Sequence, residues 1–335
     1  MTKRKYYFVI AGLVAILVVG AYISIHLGDI KIPVSAVLNL FTPWNNGIPE
    51  GDAEMYNTII TQIRLPRIFA ALLCGLALSL SGAAFQSMFR NPLVSPDLLG
   101  VLAGAAFGAS MGMLINNSFI GAQVGAFIFG IIAVGFAAIL AGFFPGNRLV
   151  MLVMGGVIST SLFTSFLSVI KYVADSQNKL PAIVYWLMGG FSSVSSDTLL
   201  LCAPVIIIGA IIVLLMSNYL NILSMGDEEA QALGVNVTKI RTIIVIATTA
   251  ICSVTVALGG MIGWVGLMIP HIARMITGPD NRQSLPVAAL VGAIYLLVVD
   301  DLCRCAFPNE IPIGIITSLL GVPFFILITY KTSKR

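Results

Sequence analysis

Ten apolar stretches, each about 20 residues long, take up almost the whole of this chain. They lie at about 7 to 27, 60 to 82, 94 to 115, 119 to 143, 149 to 171, 197 to 217, 240 to 260, 261 to 277, 285 to 303 and 312 to 330. A run of that length crosses a bilayer core as a helix, so the expected fold class is all-α, a polytopic membrane protein with about ten transmembrane helices. Charged residues are 10% of the chain and mean hydropathy is +1.01, against about 25% charged in a soluble domain. Little is left over for a soluble catalytic domain. Whatever the protein does happens within the bilayer or through partners. The first run follows Lys3, Arg4 and Lys5 without an Ala-x-Ala cleavage pattern, which reads as a retained helix.

The basic residues orient these spans. With a cytoplasmic N-terminus, ten spans return the C-terminus to the same side. The cytoplasmic loops and ends then hold Lys3, Arg4, Lys5, Arg90, Arg148, Lys239, Arg241, Arg274, Arg282, Lys331, Lys334 and Arg335. The outer set is Lys31, Arg64, Arg67, Lys171, Lys179 and Arg304. Twelve against six obeys the positive-inside rule. One segment stands out on this map. Leu223 to Arg241, LSMGDEEAQALGVNVTKIR, places Asp227, Glu228 and Glu229 on the cytoplasmic side, where insertion has no need of acids.

No catalytic or metal-binding constellation is visible. Cys74, Cys202, Cys252, Cys303 and Cys305 lie in or at the ends of spans without a CxxC pair and read as apolar packing residues. His26 and His271 have no carboxylate motif beside them. HExxH, GxSxG and the P-loop pattern are absent, so the chain carries neither hydrolytic machinery nor an ATP site of that type. The spans do carry close-packing signals. Gly100, Gly104, Gly108 and Gly112 recur every fourth residue, and Gly121 and Gly125 begin a shorter series in the next span, a spacing that lets helix backbones approach. Arg64, Arg67 and Arg304 at outer span ends can snorkel to headgroups or offer guanidinium forks to an external carboxylate. Residue physics alone leaves both readings open. Arg90-Asn91-Pro92 ends the second span, with Asn91 placed to cap the next helix. The outer loop 28 to 58, with Trp44, Asn45 and Asn46, is longer than packing needs.

Several long motifs then agree with one family. RLPR at 64 to 67, SGAAFQSMFRNPLVSPDLLGVLAGAAFGA at 81 to 109, YWLMGGFSSVSS at 185 to 196 and the C-terminal third from 259 to 328 resemble the FecCD permeases of binding-protein-dependent ABC importers. The chain departs from the usual pattern at Trp264, where phenylalanine is common, and at the doubled Asp300 and Asp301.

The resemblance implies a type II ABC importer permease fold, one transmembrane permease domain over 1 to 335. It forms a homodimer around a central path, with two ABC ATPase subunits and one periplasmic or lipid-anchored substrate-binding protein, in the bacterial inner membrane. No nucleic acid is expected as a partner. It places the ATPase-coupling helix in the segment 221 to 239, at Met225, Gly226, Asp227, Glu228, Glu229, Ala230, Leu233 and Gly234. The capping chemistry agrees: three acids complement a helix N-terminus and Gly234 supplies a stop, in a helix of about two turns that would not hold alone in water. Binding-protein docking maps to Arg64 and Arg304, Arg67 to a structural role, and a gate to Tyr172, Val173, Ala174, Asp175 and Ser176. No cofactor is expected in this chain, with ATP and Mg in the ATPase.

The cargo expected from the family is a ferric siderophore, with haem, cobalamin, and molybdate or tungstate as alternatives. An ATP-independent secondary transporter is the competing class. It would need ionisable residues at mid-membrane, whereas Asp97, Asp300 and Asp301 fall near span ends. An intramembrane enzyme lacks its catalytic groups.

Overall fold

The computed structural model describes residues 1–28, 30–39, 50–116, 119–146, 148–306 and 309–333; Trp44, Asn45 and Asn46 lie outside them. All regular structure among the described residues is helical. In chain order the helices are α1 (Lys3–His26), α2 (Val34–Asn39), α3 (Glu50–Thr58), a π-helical turn (Ile59–Arg64) and α4 (Leu65–Phe89). A 3-10 turn (Pro96–Leu99), α5 (Val101–Asn116), α6 (Phe119–Phe143), α7 (Arg148–Val173) and α8 (Lys179–Leu187) follow. The chain continues through α9 (Ser196–Leu215), α10 (Ser217–Leu223), α11 (Asp227–Ala232), α12 (Val237–Gly259), α13 (Val265–Thr277), α14 (Asn281–Cys305) and α15 (Ile313–Ser333).

Ten of these coincide with the ten apolar runs. Seven are long enough to cross a membrane and three are shorter. Two boundaries differ from expectation. The third run becomes α-helical only at Val101, because Pro96 opens a separate 3-10 turn and Gly100 turns left-handed (φ 82°) beside Ser159 of α7. Gly100 is therefore a corner and not part of the glycine stripe. The eighth run starts at Val265, because Gly260 (φ 67°) and Trp264 (φ 69°) hold residues 260–264 out of a helix. Asn91 accepts from the Leu93 N–H at 2.9 Å, so it caps a turn and not the following helix.

Helix α4 lies at the centre and packs against α9, α12, α13 and α14. Its run of Ala, Ser and Gly explains why it is the helix with neighbours on all sides. Small residues replace the hydrophobic drive that lipid cannot supply between apolar helices. A Cβ on Gly75 would stand 2.2 Å from the Gly292 carbonyl of α14, and one on Gly82 would stand 1.8 Å from that of Gly266 in α13. The predicted stripe joins α5 to α6 in the same way: Cβ atoms on Gly108 and Gly112 would lie 2.1 Å from the Gly125 and Gly121 carbonyls. With α3 and the π turn, α4 forms an unbroken 39-residue helix from Gly51 to Phe89. Outer helices such as α1, α7 and α15 present Val18, Val169 and Leu319 outward, the faces a bilayer would cover.

Contacts sort the polar residues into two ends. Met1, Gln86, Ser87, Asn221, Asp227, Arg241, Arg274 and Asn281 gather at one. Ser24, Arg64, Arg67, Asp300, Arg304 and Glu310 gather at the other.

Candidate functional site

The acid-rich segment is a short helix seated on the first of these ends. Gly226 precedes it at φ 143°, a backbone conformation that residues with a side chain rarely adopt. Only glycine fits. Gly234, also left-handed (φ 78°), donates its N–H to Gln231 O, and Val235 closes back to Ala230 O at 3.0 Å, the terminator expected from sequence. Ala230 is fully buried and roots the helix in the main core, whereas Met225 (60% exposed) and Leu233 (61%) stand outward together with Glu228 and Glu229. Ala230 and Leu233 thus do not share one apolar face: the outward apolar pair is Met225 and Leu233.

Asp227 has a separate task. Arg241, one turn into α12, holds it with two hydrogen bonds of 2.8 and 2.5 Å. The guanidinium, reinforced by the charge of Arg90, keeps the Asp227 carboxyl below the usual carboxylate range. Behind α11 a relay of amides fixes α10. Ser87 Oγ donates to Asn281 Oδ1 at 2.8 Å, the Asn281 N–H donates to Asn221 Oδ1 at 2.8 Å, and Asn221 Nδ2 donates to Asp280 Oδ1 at 2.7 Å. Gln86 of α4 takes a hydrogen bond from Arg274. The segment is thereby tied to α4, α12 and α14 at once. Sequence reasoning missed Arg241, Asn221 and Asn281 as supports. The signal was available in SNYLNIL, where two asparagines three residues apart interrupt an apolar run.

At the opposite end the three arginines differ. Arg67, buried in α4, donates Nε and Nη2 to Asp300 at 2.7 to 3.1 Å and Nη1 and Nη2 to Glu310 at 3.2 and 2.5 Å. It joins α4, α14 and the segment that leads into α15. Arg304 reaches Ser24 Oγ at 3.0 Å and Asp301, and Ser24 also donates to Asp301 at 2.6 Å, so this set joins α1 to α14. The doubled aspartates therefore serve different arginines, Asp300 for Arg67 and Asp301 for Arg304. Arg64, 4% exposed, donates to the Ile25 and Ile30 carbonyls.

The segment Tyr172 to Ser176 runs from the end of α7 into a turn on this same side. Tyr172 is 90% exposed and Ala174 buried. Asp175 accepts from the Gln177 N–H and from Asn178, contacts that favour the carboxylate and hold its pKa below the ordinary value. Trp264 lies against Gly321 and Phe325 of α15, a helix-interface position. No cluster of His, Cys, Asp and Glu suited to a metal occurs among the described residues.

An all-helical bundle with seven helices long and apolar enough to cross a membrane, among the described residues, defines a polytopic membrane protein. The chain belongs to the FecCD transport family, whose profile matches residues 16–331; it is the permease of an ABC importer. It is 36% identical to the molybdate import system permease protein MolB of Haemophilus influenzae over 334 residues, covering 100% of this chain and 98% of that one. It is 36% identical to the hemin transport system permease protein HmuU of Yersinia pestis, covering 96% and 95%. Among solved structures, an ABC transporter described as of metal-chelate type, in an inward-facing conformation, superposes with a TM-score of 0.86 at 37% identity, covering 96% of this chain and 98% of that one.

Proposed function

We propose that this permease imports a metal chelate, a ferric siderophore before other chelates, across the bacterial inner membrane, from an external binding protein to the cytoplasm. Two copies form the path and two ATPase subunits, which hold the ATP and Mg, drive it. The observation that carries the reading is the helix Asp227–Ala232. It is rooted by Ala230, clamped by Arg241, and still exposes Met225, Glu228, Glu229 and Leu233. A two-turn helix fixed that firmly to the bundle transmits a push, and rigid-body switching between two openings is the motion such importers need. Its location at the end shared with Met1, Arg90, Arg274 and Arg282 favours the cytoplasmic face.

Docking of the binding protein on Arg64 and Arg304, and gating by Tyr172, Val173, Ala174, Asp175 and Ser176, complete the proposal at the other end. Arg64 donates to Ile25 and Ile30, and the Arg304 Nη2 to Ser24 and Asp301, so docking there exchanges an internal partner for an external carboxylate. Similarity to the metal-chelate type transporter supports the cargo. Molybdate is the second reading, favoured by the full-length likeness to MolB. Haem has less behind it: His26 Nδ1 lies 2.8 Å from the Ile32 carbonyl at an outer span end, and His271 is far from it in sequence.

Uptake by proteoliposomes holding the permease, its ATPase and its binding protein tests both parts. ATP-dependent entry of radiolabelled ferric siderophore is expected. Entry of molybdate alone selects the second reading, and entry of either without ATP overturns the importer assignment.

A further inference from the structure

Among the described residues Asp97 has no counter-ion. It is exposed in the 3-10 turn Pro96–Leu99, and none of the ion pairs includes it. In sequence it falls near a span end, yet the turn carries it inward. It lines a cavity of about 280 Å³ between this turn, α4 and the start of α13, together with Leu78, Ser95, Gly263 and Trp264. Leu78 stands halfway along α4 between Arg67 and Arg90, about 17 Å of helix from each, so the cavity reaches the middle of the bundle. Contact with α7 fixes the turn there: a Cβ on Gly156 would stand 1.9 Å from the Leu98 carbonyl. A carboxylate at membrane depth faces either a partner or water. Without a partner, Asp97 marks a wet space.

Two neighbours say what that space is for. Beyond Gly156, toward its outer end, α7 exposes Ser161, Thr164, Ser165 and Ser168, and three of these hydroxyls donate to the carbonyl four residues back. Their lone pairs are left for water, in a strip that leads from the outer end toward the Asp97 turn. Trp264 is held at φ 69°, a backbone conformation uncommon for a bulky side chain. Its ring packs so closely on α15 that a Cβ on Gly321 would stand 2.6 Å from it. Backbone held in such a conformation recurs where ligands are clamped. A carboxylate and an indole wall on one cavity are the pair that recognises an organic cation, by charge and by the face of the ring.

We propose that Asp97, with Trp264 beside it, is a subsite for a positively charged arm of the cargo, an alkylammonium group, and that it makes the permease favour chelates bearing positive charge over anions such as molybdate. An anion entering this cavity meets a carboxylate where little water screens the repulsion. The cargo claim rests on the metal-chelate reading above; the cation subsite does not.

A reporter thiol tests the subsite without any cargo. Gly263→Cys places it in the cavity, where a Cβ meets nothing within 4 Å, and Cys305→Ser removes the exposed native thiol, the other four being buried. The full-length permease in nanodiscs is treated with a cationic and an anionic methanethiosulfonate of similar size, each rate normalised to a small thiol in solution. The cation should react faster by roughly tenfold, as a charged cleft concentrates counter-ions. Asp97→Asn and Asp97→Ser should each bring the ratio toward one, and Asp97→Glu should keep it. A ratio indifferent to both neutral variants, or a thiol that neither reagent reaches, overturns the subsite. Uptake by proteoliposomes with the ATPase and one binding protein tests the cargo claim, using a ferric trihydroxamate with a free ammonium group and its N-acetylated form. The uptake ratio of charged to acetylated chelate should fall about tenfold in Asp97→Asn, and an unchanged ratio overturns the claim. Entry of molybdate but of neither chelate overturns the metal-chelate reading and the cargo claim together, while the thiol ratio still decides the subsite.

Discussion

Arg241 of α12 grips Asp227, the first residue of α11, through two hydrogen bonds of 2.8 and 2.5 Å. The three acids of that segment, alike in sequence, divide into one structural residue and two that face outward. Asp227→Asn keeps the shape and loses the ion pair, at a cost of about 1 kcal/mol or less for a pair so near the surface. Folding should be unchanged. The expected outcome is lowered coupling, read as ATP hydrolysed per solute imported, with ATPase co-purification retained. Loss of co-purification would instead place Asp227 in the contact itself.

On the proposed function, the contact with the ATPase falls to the outward residues. Leu233→Asp, or Met225→Asp, should abolish co-purification with the ATPase subunit and leave the thermal unfolding of the permease alone unchanged, since both side chains are mostly exposed. Ala230→Asp should do the reverse and destabilise the permease, because it buries an unpaired carboxylate. Retained ATPase binding in both outward variants would move the coupling surface elsewhere.

Acid should loosen the same helix in a defined direction. The Arg241 guanidinium lowers the Asp227 carboxyl in the folded protein below its unfolded value of about 3.9. The pair therefore contributes fully above that value and is lost as pH falls through the lower, folded one. Hydrogen exchange of the Asp227–Ala232 amides, compared with Asp227→Asn at each pH, should show an excess protection that is constant from neutral pH down to about 4 and disappears below. An excess that changes between pH 8 and 6 would contradict the assignment.

The outer arginines should separate by cost. Asp300→Ala leaves the Arg67 guanidinium buried with only Glu310 for a partner, and removing one member of a buried pair costs about 3–5 kcal/mol. Arg304→Gln, at a less enclosed site beside Ser24, should cost about 1 kcal/mol. It should act mainly on stimulation of ATPase activity by the binding protein. If thermal unfolding ranks the two in the opposite order, the division of labour between Asp300 and Asp301 is wrong.

Glycine substitutions should sort by what their side chains would meet. Gly108→Val drives into the Gly125 carbonyl of α6 and should destabilise by about 1–3 kcal/mol, as overpacking does. Gly135→Ala, which meets open space, should be neutral or stabilising by a few tenths of a kcal/mol. Thermal unfolding in one detergent compares them, and equal effects would sink the distinction between glycines at helix contacts and glycines that face open space.

Hydrophobic run length made the ten apolar helices legible, because lipid allows few alternatives to a helix of about 20 residues. The Asp227 helix was legible from its acids and its two bounding glycines. What composition could not supply was partner choice. Asp300 and Asp301 are neighbours in sequence, yet serve arginines on different helices, 233 residues and three residues away. The Asp227 clamp joins positions 14 apart across a turn. Gly104, Gly108 and Gly112 read as a stripe correctly, but Gly100, in register with them, left the helix because Pro96 and a left-handed turn come first. Spacing records which residues can share a face; only tertiary packing decides where the helix that carries them begins.

The unbroken helix from Gly51 to Phe89 has a mechanical meaning. At about 1.5 Å per residue it measures about 58 Å, nearly twice the hydrocarbon thickness of roughly 30 Å. It is a lever with its fulcrum in the lipid. One arm carries Arg64 and Arg67, and the other ends at Arg90 beside Gly226. A tilt imposed on either arm reaches the opposite tip, and the place along the shaft where it can be absorbed is the π turn Ile59–Arg64 with Pro66 beside it.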